Sequence, residues 1–294
     1  MASSRRSGSR GKEGLDRALS RPGSMHTHLF ILTVGIYGAS LALYLIYLYG
    51  NRNAAAWGAT LCLAGGIALH YLVLLERSRW IHAVPYQDLY GSMSLFGWLL
   101  AVTYLGLELL HRQRSVGAFV VPFVILLFLA AHLSPGNVPP PAPARGPLFA
   151  FHVTLSILAY AAFAISFVLS VIFLVQERFL RGHKLAPVFW RFPPLELLER
   201  MSRSSVLIGL GSMAVGIVFG YVWVERLRGS IWSPDAKNLV TLLVFGVYAA
   251  YILLGRSSSW RGARASALCV FNFVFVMLSY TVVNLYLSHY HRYF

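Results

Sequence analysis

The chain has few charged residues. Asp, Glu, Lys and Arg make up 12% of its 294 residues, whereas hydrophobic residues make up 57%. A water-soluble protein of this length normally carries about a quarter charged residues, so the composition excludes that class of protein. Long uncharged runs recur along the chain, and they predict a polytopic membrane protein.

Cysteine is also scarce. Cys62 and Cys269 lie in apolar stretches and belong to no CxxC motif, which excludes a disulfide framework and a thiol relay. We interpret both as small core residues. The chain further lacks GxSxG, a phosphate-binding glycine-rich loop ending in Lys-Ser/Thr, and HExxH. Catalysis by side chains is therefore not expected, and any chemistry would belong to a cofactor.

The apolar runs predict an all-α fold, a polytopic integral membrane helical bundle of about eight transmembrane helices. A hydrocarbon core of roughly 30 Å needs about 20 apolar residues per helix. The runs are too long for barrel strands and do not alternate strictly between apolar and polar residues, which favours helices. The predicted spans are 27–49, 54–75, 90–110, 116–133, 148–176, 204–224, 238–255 and 266–288.

The predicted domain organisation is a basic tail followed by one transmembrane domain. Residues 1–24 are rich in Ser, Gly and Arg and predict a disordered segment. We interpret it as an upstream extension that precedes a natural start at Met25, with contact to anionic lipid as the alternative. Residues 25–294 form the transmembrane domain, in which the proline-rich stretch 134–147 predicts a non-helical loop between the first and last four spans. No signal peptide with a cleavage site is visible, so the first span is expected to stay in the membrane.

The net charge of +15 does not indicate nucleic-acid binding, because the basic residues fall between the apolar runs. The basic connections 177–203 and 256–264 are predicted to be cytoplasmic. The connections 77–89, 134–147 and 225–237 and the C-terminus are then extracytoplasmic, with twelve basic residues inside and seven outside. The six basic residues of the tail would favour the opposite orientation.

Two histidines are predicted to lie on the extracytoplasmic side. His152 is at the outer start of the fifth span, and His291 follows the outer end of the eighth. Neutral imidazoles are good axial ligands for haem iron, and two from different helices can hold a porphyrin among aromatic rings. For each histidine alone, the alternative is a helix cap or a residue at the wet interface.

Two further histidines are predicted to lie at different depths in the membrane. His70 lies within the second span, where an ionisable side chain is a functional candidate. The alternative is a neutral imidazole that bonds the backbone of a neighbouring helix. His132 lies near the outer end of the fourth span and is either a second such residue or an interfacial one.

A short polar segment with two tryptophans separates the sixth and seventh spans. A purely structural loop needs no such combination of residues, and two tryptophans can stack against a flat macrocycle at a membrane interface. The residues of interest in this segment are Trp223, Gly229, Trp232, Ser233, Asp235 and Lys237.

Several pieces of the chain resemble, in order and spacing, the CcsA-type cytochrome c assembly proteins, including the ResC-like and HemX-like membrane proteins. The likeness runs from about residue 70 to the C-terminus. Its pieces are His70 with Arg79, the stretch Pro85-Tyr-Gln-Asp-Leu-Tyr-Gly-Ser with Trp98, the stretches Gly146–Val153 and Ala159–Phe163, and Tyr280–Tyr293 with His291.

The central tryptophan-rich (WWD) motif of that family is partly retained. The residues kept are Gly220, Val222, Trp223, Gly229, Trp232, Asp235 and Lys237. The family has tryptophan, tyrosine, tryptophan, proline and glutamate where this chain has Arg228, Ile231, Pro234, Ala236 and Asn238. Two stacking tryptophans are therefore missing, and each aromatic contact contributes only about 0.5–1.5 kcal/mol beyond burial. Haem binding is expected to be weaker than in family members that keep the full motif, but not abolished.

The resemblance implies a site for haem b. It implies that the motif residues Gly229, Trp232 and Asp235 hold the haem edge, together with Trp223 and Lys237. It also implies that the external histidines His152 and His291 ligate the iron, while the intramembrane His70 marks a route through the bilayer and is a further candidate iron ligand. The cations Arg226, Arg228 and Lys237 could pair with the propionates, with solvation as the alternative.

The function that the resemblance implies is haem delivery or presentation in cytochrome c assembly, on the extracytoplasmic side of the inner (cytoplasmic) membrane. The implied partners are the lipid bilayer, haem, a CcsB/ResB-like subunit and apocytochrome c, and no nucleic acid. The chain would be a component of a haem lyase system without a catalytic side chain of its own. The alternative is a HemX-like regulatory or scaffolding protein of haem metabolism that does not load haem. A solute transporter would require inverted repeats with interrupted helices, and neither is clear.

Overall fold

The computed structural model describes residues 24–81, 84–86, 88–134, 146–182, 192–228 and 236–282. These residues form eight α-helices and one 3-10 turn, with no strand among them, so the predicted all-α fold is confirmed. The helices are α1 (Ser24–Gly50), α2 (Asn53–Ile81), α3 (Leu89–His111), α4 (Gly117–Leu133), α5 (Gly146–Arg181), α6 (Leu195–Arg228), α7 (Ala236–Leu254) and α8 (Ala263–Val282), and the 3-10 turn is Ser258–Trp260. The tail 1–23 lies outside the described residues.

Each helix lies over one predicted apolar run, and residues 283–288 of the last run lie outside the described residues. Among the described residues, five helices are long and apolar enough to cross a bilayer, namely α1, α2, α3, α5 and α6. The other three are shorter apolar helices. The chain is therefore a helical membrane protein.

Three helices extend well beyond the predicted spans. α2 continues to Ile81, past the predicted end at residue 75. α5 continues to Arg181 and α6 begins at Leu195, so part of the predicted connection 177–203 is helical. Long helices of this kind keep their backbone hydrogen bonds internal after leaving the lipid, where Arg178 and Arg200 can be solvated. The prediction that 134–147 is wholly non-helical was wrong at its end, because α5 begins at Gly146. Pro147 is tolerated there since the first turn of a helix needs no intrahelical N–H donor.

The helices form two packed halves. α1 to α4 pack together around buried tyrosines, including Tyr37, Tyr44 and Tyr104. α5 to α8 pack around a second core, in which Phe163 and Tyr248 stack with ring centroids 3.7 Å apart. The contact of α3 with α5 joins the halves, and α5 with α6 form the most extensive helix pair.

The antiparallel helices place their termini at two ends of the bundle. Contacts of Phe149 with Tyr86 and Trp223 bring the starts of α3 and α5 and the end of α6 together. We call this the histidine end, after His152. At the other end the His111 ring hydrogen-bonds with the Ser204 hydroxyl, and Arg203 donates a hydrogen bond to the Ile252 carbonyl. We call this the arginine end. It contains the end of α3, the start of α6 and the end of α7.

Candidate functional site

His152 has a fixed tautomer and orientation. It lies in the second turn of α5, half-buried, with Nδ1 2.7 Å from the Gly216 carbonyl oxygen on α6. A carbonyl only accepts, so Nδ1 carries the proton and donates it in this bond. The lone pair of Nε2 is thereby left available to a metal or another donor.

Gly220 makes room for this imidazole. A Cβ atom at position 220 would lie 2.7 Å from Nδ1 and 2.8 Å from Cε1 of His152. Any side chain at this position would collide with a rigid ring, so the first glycine of the retained motif is required by the contact between α5 and α6. The motif helix and the first external histidine are thus packed directly against each other.

An aromatic cluster lies beside His152. The ring of Phe149 is 4.6 Å from that of Trp223 and 6.3 Å from the imidazole, measured between centroids. On its other side Phe149 contacts Tyr86 edge-on at 5.8 Å. Phe149 is buried, whereas Trp223 is half-buried. Three segments that carry the family resemblance therefore meet at the histidine end, namely those of Tyr86, Phe149 and Trp223.

A buried ion pair shapes the segment before α3. Asp88 caps α3 by accepting a 3.0 Å hydrogen bond from the Gly91 amide, and the same carboxylate pairs with Arg77 of α2. Both charged side chains are 8% exposed. The Arg77 guanidinium also lies 4.9 Å from the ring centroid of Tyr90. This arrangement anchors Asp88 at the start of α3, two residues after Tyr86.

His70 is fully buried inside the first half of the bundle. Its Nδ1 lies 3.3 Å from the Tyr37 hydroxyl, and its Nε2 lies 3.0 Å from the Ser94 hydroxyl. Phe128 packs on the ring with centroids 4.2 Å apart. Both ring nitrogens are therefore within hydrogen-bonding distance of hydroxyls on α1 and α3. The partners are side chains, where the sequence left a backbone partner as the alternative.

His132 lies at the end of α4. Its side chain is exposed, and its ring stacks on Phe30 at 3.8 Å. This exposure is compatible with the interfacial alternative, which stays a prediction.

The remaining predicted site residues are Gly229, Trp232, Asp235 and His291, and all lie outside the described residues. Of Lys237 only the backbone is described, in the first turn of α7. Within the described part of the chain, no group of three or more His, Cys, Asp or Glu side chains could hold a metal ion.

Sequence reasoning missed two buried charged sites. It selected Arg79, which is exposed, whereas the buried arginine of α2 is Arg77. It also passed over Glu108, which is 1% exposed near the arginine end of α3. The available signal was a carboxylate inside the predicted span 90–110, since ionisable residues within spans mark functional or anchoring sites.

The chain is similar to known proteins over most of its length. Residues 86–291 match the family described as "Cytochrome C assembly protein". The "Cytochrome c biogenesis protein CcsA" of Synechococcus sp. (strain JA-2-3B'a(2-13)) is 30% identical, with 77% of this chain and 83% of that protein aligned. The protein of the same name from Microcystis aeruginosa (strain NIES-843 / IAM M-2473) is 26% identical, with coverage of 87% and 92%. That from Guillardia theta is 27% identical, with coverage of 72% and 78%.

The family match spans more than half of the chain and includes both His152 and Trp223. The contacts of Phe149 with Tyr86, His152 and Trp223 all join segments within this match. The chain therefore belongs to the CcsA-type family of cytochrome c assembly proteins, membrane proteins that act in cytochrome c biogenesis, a process that involves haem.

Proposed function

We propose that this protein binds haem b at its histidine end and presents it for attachment to apocytochrome c on the extracytoplasmic side of the cytoplasmic membrane. A CcsB/ResB-like subunit is the proposed partner in this haem lyase system. The observation that carries the proposal is the hydrogen bond from Nδ1 of His152 to the Gly216 carbonyl. It leaves Nε2 as the free lone-pair donor of a ring that cannot easily rotate.

The surroundings of His152 fit an iron ligand. Histidines that bind metals commonly donate their second ring N–H to a carbonyl or carboxylate, which fixes the tautomer and makes the ligating nitrogen more basic. Phe149 and Trp223 add apolar surface next to the imidazole. Haem, when bound, supplies an iron that accepts imidazole ligands and a porphyrin that needs such apolar surface.

The second proposed ligand is His291, and the motif residues complete the proposed site. Gly229, Trp232, Asp235 and Lys237 follow directly on the helix that carries Trp223. We assign the haem edge to this segment and the propionates to its cations, of which Arg226 is exposed at the end of α6.

His70 is proposed as a polar anchor of α1, α2 and α3. Both of its nitrogens have hydroxyl partners, Tyr37 and Ser94. Iron ligation by this residue would require the loss of one of these bonds, which is costly in the absence of water. His70 can therefore act on haem passage only after a rearrangement of the first half of the bundle.

The proposed orientation rests on charge. Arginines crowd the arginine end, at the end of α5, the start of α6 and the α7–α8 connection. The positive-inside rule retains such segments in the cytoplasm. The histidine end then faces outward, where apocytochrome c would meet the haem.

A second candidate function is a HemX-like regulatory protein that holds haem without passing it on. The departures from the family motif favour it, because Arg228 and Pro234 replace two stacking tryptophans. The two candidates differ in whether a cytochrome c receives haem.

The test of haem binding is the absorption spectrum of the detergent-purified protein. We expect a low-spin, bis-histidine b-type spectrum whose intensity falls in His152→Ala and in His291→Ala and is partly restored by added imidazole. His132→Ala is the matched control, since this histidine lies at the same end but stacks on Phe30. If both test variants keep the wild-type spectrum, these histidines are not the ligands.

The test of presentation is maturation of a reporter c-type cytochrome in cells that depend on this protein and a CcsB/ResB-like subunit. We expect covalent haem in the reporter with the wild-type chain and a strong reduction with His152→Ala. Haem-loaded protein that yields no mature reporter would favour the regulatory candidate.

A further inference from the structure

A cavity of about 540 Å³ opens at the arginine end, far from His152. It lies between the start of α6, the end of α7 and the connection to α8. Its lining residues are Glu196, Glu199, Arg200, Arg203, Gly255, Arg256 and Arg261.

The positive charge of this cavity exceeds its negative charge. Four arginines face two glutamates, and among the described residues no ion pair joins them. The guanidinium groups of Arg200 and Arg256 make no hydrogen bond within the described part of the chain, although the Arg256 backbone amide donates to the Leu253 carbonyl. Glu199 is already engaged, because it accepts a 3.3 Å hydrogen bond from the Gly262 amide. Guanidinium donors therefore remain for an anion.

The other two arginines are held in place by backbone carbonyls. Arg203 donates to Ile252 O at 3.3 Å, and Arg261 donates through Nε to Gly255 O at 3.2 Å. A Cβ at position 255 would lie 3.1 Å from Nη1 of Arg203, so glycine gives this guanidinium its space. Arginines oriented in this way are pre-arranged for the paired hydrogen bonds that phosphate accepts.

Exposed apolar side chains lie close in sequence to the residues that line the cavity. Leu253 is 59% exposed and Leu254 is 36% exposed, and they lie two residues and one residue before Gly255, at the end of α7. Leu207, one turn beyond Arg203 on α6, is 50% exposed. Trp260 on the adjoining 3-10 turn is exposed as well, which is typical of the membrane–water interface. The surface thus offers cations for a head group and leucines for acyl chains.

We propose that this cavity binds the head group of an anionic phospholipid from the leaflet at the arginine end. The arginines hold the phosphate, and the acyl chains lie along the exposed leucines. Basic pockets between transmembrane helices at a membrane surface have the chemistry for this class of ligand. A free phosphate would use the same guanidinium groups but would gain nothing from the leucines.

The test compares lipids on the full-length protein by native mass spectrometry. Phosphatidylglycerol and phosphatidylcholine with identical acyl chains are added separately to the detergent-purified protein. We expect the wild type to retain phosphatidylglycerol and to release phosphatidylcholine. In Arg200→Gln/Arg256→Gln we expect phosphatidylglycerol affinity to fall roughly 30-fold, as for the loss of two basic residues near a membrane surface.

The matched control is Arg178→Gln/Arg181→Gln. These arginines are exposed at the end of α5, at the same end of the bundle but outside the cavity lining. The control carries the same change in charge and should retain wild-type lipid binding. An equal loss in both double variants would overturn the proposal in favour of a diffuse charge effect.

Two further results would also overturn it. One is equal retention of the two lipids by the wild type, and the other is displacement of phosphatidylglycerol by an equimolar amount of inorganic phosphate, which would identify a soluble ligand. If the double variant does not fold, Arg256→Gln alone decides the matter. Arg256 is exposed on the α7–α8 connection, so this variant should fold and still lose affinity several-fold.

Discussion

The Tyr44 hydroxyl donates a 2.5 Å hydrogen bond to the carboxylate of Glu108, and this contact ties α1 to α3. Thr60 of α2 donates to the other carboxylate oxygen at 2.5 Å, and Arg114 Nε lies 3.8 Å from that oxygen. Arg114 also packs over Trp57 with 3.8 Å between the guanidinium carbon and the ring centroid. A buried carboxylate is costly unless its oxygens are hydrogen-bonded, and here α1, α2 and the α3–α4 connection supply its partners.

Removal of the Tyr44 hydroxyl should destabilise the first half of the bundle. We expect Tyr44→Phe to lower the free energy of unfolding by about 1.5–3 kcal/mol, because it removes a hydrogen bond to a buried charged group. Denaturant titration in detergent measures this value. Tyr49→Phe on the same helix is the control, since Tyr49 is exposed and should be neutral. Equal stability of the two variants would contradict the assigned role of Glu108.

An added methyl group at Gly220 should weaken haem binding without any change to a proposed ligand. We expect Gly220→Ala to lower haem affinity by about 10-fold or more, because the new Cβ displaces the His152 ring from its carbonyl partner. Haem titration followed by absorbance measures the effect. Gly211→Ala on the same helix has open space around its Cβ and should bind haem normally. Unchanged affinity in Gly220→Ala would show that this imidazole orientation is irrelevant to haem.

Loss of the buried Arg77–Asp88 ion pair should destabilise the protein far more than loss of an exposed ion pair. We expect Arg77→Met to lower the free energy of unfolding by about 3–5 kcal/mol, because it leaves the Asp88 carboxylate buried without its counter-ion. Replacement of both partners by apolar residues should recover much of this loss, apart from about 1 kcal/mol for the helix cap. The comparison is Arg181→Gln, which breaks the exposed Arg181–Glu177 pair. We expect an effect of about 0.3–0.5 kcal/mol there.

The proposed orientation predicts a labelling pattern. Single cysteines are placed at Ser230, Ser257 and Ser288 in a chain that lacks Cys62 and Cys269. A membrane-impermeant thiol reagent added to intact cells or spheroplasts should modify the first and third positions and spare the second, because the basic connection around Ser257 is retained in the cytoplasm. The reverse pattern would place the motif in the cytoplasm and would favour the regulatory function over haem presentation.

Replacement of the two native cysteines in that experiment needs care at one position. Cys62 is half-buried, but Cys269 is fully buried with its Sγ 2.8 Å from the Ser166 hydroxyl. Cys269→Ser keeps a polar atom in this contact, whereas Cys269→Ala leaves the hydroxyl with one partner fewer. The serine variant is therefore the better background.

The sequence alone was enough to predict the helices. The apolar runs were too long for barrel strands, and a helix keeps its backbone hydrogen bonds internal in lipid. All eight runs are helical in the described part of the chain, and five of these helices are long enough to cross a bilayer. The order of histidines and motif residues was enough to predict the family. The helix ends were less predictable, as α5 and α6 show, because a helix does not have to stop where the membrane does.

The partners of the buried polar groups were decided only by tertiary structure. Arg77 and Arg79 are two residues apart on a helix and so lie on nearly opposite faces, but no local pattern states which face meets α3. Likewise Gly216, the partner of His152, is 64 residues away, and the rotation of α5 against α6 selects it. A sequence of apolar runs determines which residues enter the bilayer, whereas helix packing determines which polar groups meet there, because that choice depends on side-chain shapes from distant segments.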